Sequence, residues 1–402
     1  MAPSLVAVAA LVLDGGMWLI ERARLQIAAD AAANGAGYLL LDSSLQSESA
    51  SAQTSAFQSV ALAEATGAAG TLIGNLATPI GISVASGWTS VTVTLSSQAD
   101  SFLAGAVGLS GPTLVATAAL APVSACVLAL NSSAADAIDV NNMGSIRATG
   151  CGIVADSNSS SAIYLNSGTI SGEEVAAVGD FSKSNSGSNT VSPANPTDDA
   201  SAVANPYASR SPPVAGACDY TNASFTAWQS GPYSFTQANN VFCGNTTIGG
   251  NSTTDTFAPG VYYVVNGNLV FNNADITQAQ GVTFVLSGSS PGSFQWTNYS
   301  NTYQLSAPTS GATAGILVWQ ECPSSGSAPA NTMAGGSTLE VSGAFYAPCG
   351  ALQMSNNAQL TTASGGSMSV IVNTISAVGS AGISAASSTG GSGGASRPHL
   401  TQ

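Results

Sequence analysis

Charge is scarce in this 402-residue chain: six Lys and Arg and 20 Asp and Glu make up 6% of it, against roughly 25% in an ordinary globular protein. The polar work therefore falls to Ser, Thr, Asn and Gln. The six basic residues, Arg22, Arg24, Arg147, Lys183, Arg210 and Arg397, are scattered, and the formal net charge is -14. No patch can neutralise a row of phosphates, which excludes nucleic acid as a partner. Histidine occurs once, at His399, which removes His general bases, His-paired nucleophiles and ordinary His zinc sites. There is no C-x-x-C pair, no Gly-rich phosphate loop between a strand and a helix, and no EF-hand pattern, so neither a metal nor an organic cofactor is expected. The carboxylates Asp136, Asp139, Asp156, Glu173, Glu174, Asp180, Asp198, Asp199, Asp219, Asp255, Asp275, Glu321 and Glu340 are dispersed. Only Glu173-Glu174 and Asp198-Asp199 are adjacent, and neighbours on a strand point to opposite faces. Both pairs read as solvated surface, and no catalytic residue is assigned.

Scarce charge does not mean disorder here, because 45% of the residues are hydrophobic and Val, Ile, Phe and Tyr recur in short runs. The six cysteines stand at 126, 151, 218, 243, 322 and 349, three consecutive pairs separated by 25, 25 and 27 residues. Six cysteines permit fifteen connectivities. The even gaps favour the nearest-neighbour pairs Cys126 with Cys151, Cys218 with Cys243 and Cys322 with Cys349. Disulfides imply an oxidising, extracytoplasmic compartment.

Along the chain the texture changes twice. Residues 1–50 read as a long helix, apolar from Pro3 to Ile20 except at Asp14-Gly15-Gly16, then rich in Ala and Gly. The apolar stretch is short of the ~20 residues a bilayer requires, and a carboxylate in its middle is costly. Either Asp14 marks where a helix leaves the membrane, with its anchor extending further back, or the helix is buried against protein. Leu5, Val8, Val12, Asp14, Trp18, Arg22, Leu25, Gln26, Ala29 and Asp30 are the residues expected to serve packing or anchoring, with Arg22, Gln26 and Asp30 on one face. Residues 51–124 form a small α+β module: a second helical stretch to about Leu76, then period-two alternation around 91–95 and 114–118.

From 125 to 377 the runs are short and β-prone: 125–130, 138–140, 152–155, 162–165, 175–178, 260–265, 269–271, 282–286, 315–319, 339–341, 344–347 and 369–375. Gly, Asn and Ser punctuate them at intervals of about ten residues. That spacing suits a parallel β-helix, whose coils of ~20 to 30 residues stack on their neighbours. The cysteine gaps match one coil, and cysteines one coil apart lie ~4.8 Å from one another, within disulfide reach. The alternative is an immunoglobulin-like β-sandwich. Residues 182–217, polar and Pro-punctuated, read as a loop interrupting the coils, in which Pro206-Tyr207 and Pro212-Pro213 can lie extended against a surface, and 378–402 as a flexible Gly/Ser-rich tail.

Leu13-Asp14-Gly15-Gly16, Arg22, Leu25-Gln26 and Ala28-Ala29-Asp30-Ala31-Ala32 resemble the N-terminal signature of TadE/TadG-like proteins of the tight-adherence (Flp-type) pilus system. Further matches follow in order: Asn205-Pro206-Tyr207 with Pro212 and Cys218, Ala258-Pro259-Gly260-Val261-Tyr262, Gly281-Val282-Thr283-Phe284, Leu305-Ser306-Ala307-Pro308-Thr309 with Gly315-Ile316-Leu317, and Gly343-Ala344-Phe345-Tyr346-Ala347-Pro348. The chain departs from that pattern in its short anchor before Asp14 and in Asn205, where an acidic residue is usual. The resemblance implies a pilin-like N-terminal helix followed by a β-rich domain in a non-enzymatic protein of the cell surface or periplasm. Such a protein self-associates or meets pilus components through its helix, with membrane anchoring and a surface polysaccharide as further expected contacts. The alternative function is a carbohydrate-binding or polysaccharide-degrading β-helix protein, for which Trp228, Tyr233, Tyr262, Tyr263, Trp296, Tyr299, Tyr303, Trp319 and Tyr346 would supply stacking faces.

Overall fold

The computed structural model describes residues 2–40, 45, 48–69, 76–78, 80–85, 90–100, 110–185, 187–226, 232–250, 254–298, 302–387 and 395–401, without the side chains of 2–12, 69, 119–124, 254, 277 and 395–401. The chain forms two compact units, Met1–Val123 with Ser396–Gln402, and Ser124–Ala395.

In the first unit, helix α1 (Ala2–Leu39) has 38 residues and is about 57 Å long at 1.5 Å per residue. It packs on α2 (Ala50–Ala69) and on an antiparallel sheet of β1 (Gly81–Val84), β2 (Val91–Gln98) and the first part of β3 (Thr113–Ala129). The buried positions Leu25, Ala28, Ala29, Ala32, Ala33, Ala36 and Leu40 recur at helical spacing and meet Phe57, Ala61 and Ala65 of α2 and Val91, Val93 and Leu95 of β2. Small residues set the distance between the helices. At Gly35 a Cβ would run into the Glu64 side chain of α2, so an added methyl would force that side chain to move.

The second unit is a parallel β-helix, and its all-parallel strand pairing excludes the sandwich. On its first face the strands follow the order Tyr220–Thr221, Val241–Cys243, Gly260–Val265, Val282–Ser287, Ile316–Gln320, residues 343–347, Met368–Val372, residues 125–129, Gly152–Ala155 and Glu174–Ala177. A second face of ten strands runs in the same order, from Ser224–Thr226 to Phe181–Lys183. The third face carries Thr302–Ser306, residues 338–342, Gln359–Thr362, Gly382–Ala386, Ser145–Thr149, Thr169–Ser171 and Thr190–Ser192. A separate three-stranded ladder holds Ser234–Phe235, Thr254–Phe257 and Asp275–Ala279.

Stacking order therefore differs from chain order. The chain winds three coils from 125 to 192, returns along the solenoid through residues 193–217, and winds seven more, the last of which pairs with the first: Val370 lies opposite Val127, Ile375 opposite Ile138 and Gly382 opposite Ser145. The returning segment is a strap. Ala200, Val203, Tyr207 and Ala215 lie over the outward side chains of the first face, among them Leu128, Val154, Val285, Trp319, Tyr346 and Ile371. Val203 N–H donates to Asp156 Oδ1 (2.8 Å), Asn205 Nδ2 to Tyr346 O–H (3.0 Å) and Arg210 to Ala314 O (2.9 Å). This cover explains the composition of the strands. Those of the first face, such as Val282–Ser287 and Met368–Val372, are buried on both sides and read as unbroken apolar runs. Strands such as Ile138–Asn141 and Ser145–Thr149 have one solvated side and alternate.

Corners are built from asparagine. Asn222 Oδ1 accepts from Asn245 N–H (3.1 Å), Asn245 Oδ1 from Asn268 N–H (3.0 Å), and Asn268 Oδ1 from Ser293 N–H (2.8 Å), so each side chain reaches the backbone of the next coil. The three disulfides, Cys126–Cys151, Cys218–Cys243 and Cys322–Cys349, also join adjacent coils, at Cα separations of 5.7, 5.7 and 5.3 Å. Two segments depart from the reading of the sequence. The loop at 182–217 includes the strand Thr190–Ser192, which completes the third coil of the first run. The tail from 378 is not all tail: Gly382–Ala386 is a coil strand with Ile383 and Ala385 buried, and Ala395–Thr401 is also a strand. Small side chains make a poor strand signal, but they suit a narrow interior.

Candidate functional site

Helix α1 presents two faces. Its inner face is the alanine row, accompanied by polar contacts: Trp18 Nε1 donates to Asp100 O just beyond β2 (3.0 Å), Ser97 Oγ of β2 to Glu21 Oε1 (3.3 Å), and Gln26 Nε2 to Thr117 O of β3 (3.2 Å) and, within the helix, to Asp30 Oδ1 (2.9 Å). Asp14 is buried on this side, together with Leu25 and Ala29, whereas Arg22 is exposed. The side chains of Leu5, Val8 and Val12 lie outside the described residues.

The other face was not foreseen. Leu13, Met17, Leu19, Ile20, Ile27 and Tyr38 are 57, 49, 70, 55, 59 and 54% exposed. Leu19 lies about 120° away from the others, whose spacing follows alternating steps of four and three, which at 100° per residue keeps them within about 40° of one line along the helix. Arg24, Ala31 and Asn34 occupy the intervening places. A stripe with that period is the seam a helix offers to another helix. Its sequence signal was the i, i+4, i+7 pattern at 13, 17 and 20, masked by the overall apolar character of the segment.

Residues 1–37 match the family model described as putative Flp pilus-assembly TadE/G-like. The match covers α1 almost from end to end and ties this helix to a pilus-related role. No curated protein and no solved structure matches the chain. Among the described residues, no helix is long and apolar enough to cross a membrane.

Outside the TadE/G-like segment, no three His, Cys, Asp or Glu side chains converge to hold a metal among the described residues. Asp198 and Asp199 are exposed, but Glu174 is buried, which corrects its reading as solvated surface: it lies in a first-face strand that is covered on both sides. Asp139 and Asp255 have pKa values raised above the ordinary 3.8, by burial first and then by the neighbouring Asp136 and Asp275 respectively. Of the aromatics considered for stacking, Tyr262, Tyr263, Trp296, Tyr303, Trp319 and Tyr346 are buried and Tyr233 is half-buried. Trp228 and Tyr299 lie outside the described residues. Most of these rings are packing, not a sugar-binding face.

Proposed function

We propose that this chain is a non-enzymatic structural and adhesive component of an extracytoplasmic pilus or filament system. The exposed stripe of α1 docks on a like helix, of a pilus component or of a second copy, and the disulfide-stapled β-helix is the part displayed. The stripe itself carries this reading: large apolar side chains at heptad spacing leave a seam that a second helix would cover, and from Leu13 to Ile27 it lies within the segment that matches the TadE/G-like family model. The three disulfides support an oxidising location.

The test compares the intact chain with one starting near Ser43 and with Ile20→Glu/Ile27→Glu, by sizing and by membrane flotation. The intact chain should associate, and both variants should be released as single particles. If the double variant assembles or floats like the parent, the stripe is not the docking element and the proposal fails.

A further inference from the structure

A cleft of about 740 Å³ opens in the β-helix where the strap crosses the coils, between Pro206–Arg210 on one side and the chain around 307–315, 342–344 and 367–369 on the other. Its size falls within the ~300 to 1,000 Å³ typical of small-ligand sites. Its chemistry is unusual for this molecule. Arg210, one of only six basic residues in a chain of net charge -14, lines it, and no Asp or Glu does.

The guanidinium is held in place. One of its NH groups donates to Ala314 O (2.9 Å), and its Cζ lies 5.5 Å from the centre of the Tyr207 ring. A guanidinium has five N–H donors in a planar fork, so one bond to a carbonyl leaves most of that fork unused, with no carboxylate among the cleft's walls to take it. The hydroxyls of Thr309, Ser342 and Ser367 line the same cleft, each able to donate and accept, and Ser387, whose hydroxyl donates to Gly150 O (2.6 Å), offers an acceptor there. Gly315 lies at the same rim with open space where a Cβ would be, so a ligand can come close to the backbone there.

We infer that this cleft binds a hydroxylated carboxylate, a uronic-acid type of sugar: the Arg210 fork takes the carboxylate and the ring of Ser and Thr hydroxyls takes the sugar hydroxyls. Recognition of this kind needs no exposed aromatic platform. It does not depend on the docking of α1, so the two proposals succeed or fail separately.

The experiment is calorimetric titration of the full chain with D-glucuronate, D-glucose and acetate. Glucuronate should bind saturably, with glucose and acetate each at least about tenfold weaker. Arg210→Gln should lose about tenfold or more, equivalent to about 1.4 kcal/mol, and Arg210→Lys should fall between, since it keeps the charge without the fork. Ser342→Ala/Ser367→Ala leaves the strap's anchor intact and should weaken glucuronate at least about threefold. The inference is overturned if glucuronate shows no saturable binding, if acetate binds as tightly as glucuronate, or if Arg210→Gln binds like the parent. Should Arg210→Gln fail to fold, unchanged binding by the serine double variant overturns it equally.

Discussion

At Asn245 a single side chain joins two coils, accepting from Asn268 N–H while its own backbone N–H is held by Asn222. Removing that acceptor leaves a backbone donor to find water. Asn245→Ala should therefore cost about 1 kcal/mol in urea unfolding. Beside this ladder the glycines 244, 267 and 292 stack, and a Cβ on Gly267 would run into the Gly244 backbone. Gly267→Ala should destabilise by more than the ~1 kcal/mol of an ordinary backbone-entropy effect, because a main chain cannot rotate away as a side chain can. Asp255 is the titrating counterpart. Its Oδ1 accepts from Tyr233 N–H (3.0 Å), yet burial raises its pKa above 3.8. The native state then holds a proton that the unfolded state has released, so stability falls as pH rises from 3.8 through the raised value. Asp255→Asn, which retains an acceptor oxygen, should flatten that slope in unfolding curves taken across this range, and a slope identical to the parent's would contradict the assignment.

At the level of elements, the strap and the disulfides take over what a larger hydrophobic interior would otherwise do. Tyr207 is 6% exposed and meets Tyr346 edge-on at 5.2 Å. Tyr207→Ala should cost about 3 kcal/mol in denaturant unfolding, in line with other buried aromatic truncations. Each disulfide closes a loop of 25 or 27 residues, and opening one should cost about 3 kcal/mol in the chain-entropy model. The strands themselves were readable: the run at 152–155 coincides with Gly152–Ala155, which is buried on both faces and so apolar throughout, and the run at 260–265 with Gly260–Val265. The strap was readable in part: Pro206-Tyr207 read as an extended pair able to lie on a surface, and Tyr207 is buried there. Val203 was not, since one apolar anchor among Ser, Asn and Pro has no period to reveal it. The Asn222, Asn245 and Asn268 spacing of one coil was in plain sight, but asparagine is so common here that its register could not be separated from composition. On α1 the packed alanines were evident, whereas the outer stripe was not, since an all-round apolar helix hides which side its neighbours take.

For the β-helix as a whole, the consequence of permuted winding is that residues about 240 apart in sequence are partners in space, as in the pairing of Val370 with Val127. No local pattern could disclose that seam, because every coil has similar strands and any two could stack. The pairing makes the strap covalently dispensable. If a protease site is inserted at Val214, which is 96% exposed, the cut chain should still run as one particle on sizing. In non-reducing denaturing gels it should separate into two pieces, because Cys126–Cys151 lies before the cut and both other disulfides lie after it. Two particles on sizing would mean that the seam does not hold the halves together.

Cys126 lies two residues inside the boundary at Ser124, where the chain enters the β-helix between two neighbouring strands rather than at an end of the stack. A pull transmitted along the backbone from the first unit therefore reaches a covalent crosslink almost at once. It passes directly to Cys151 through the sulfur bridge, bypassing the intervening coil, which cannot be paid out as slack. Under tension the attachment should behave as a rivet and not as a spring: an oxidised chain stretched from its N-terminal side should yield almost no extension from residues 126–151, and a reduced one should release that coil as a discrete step.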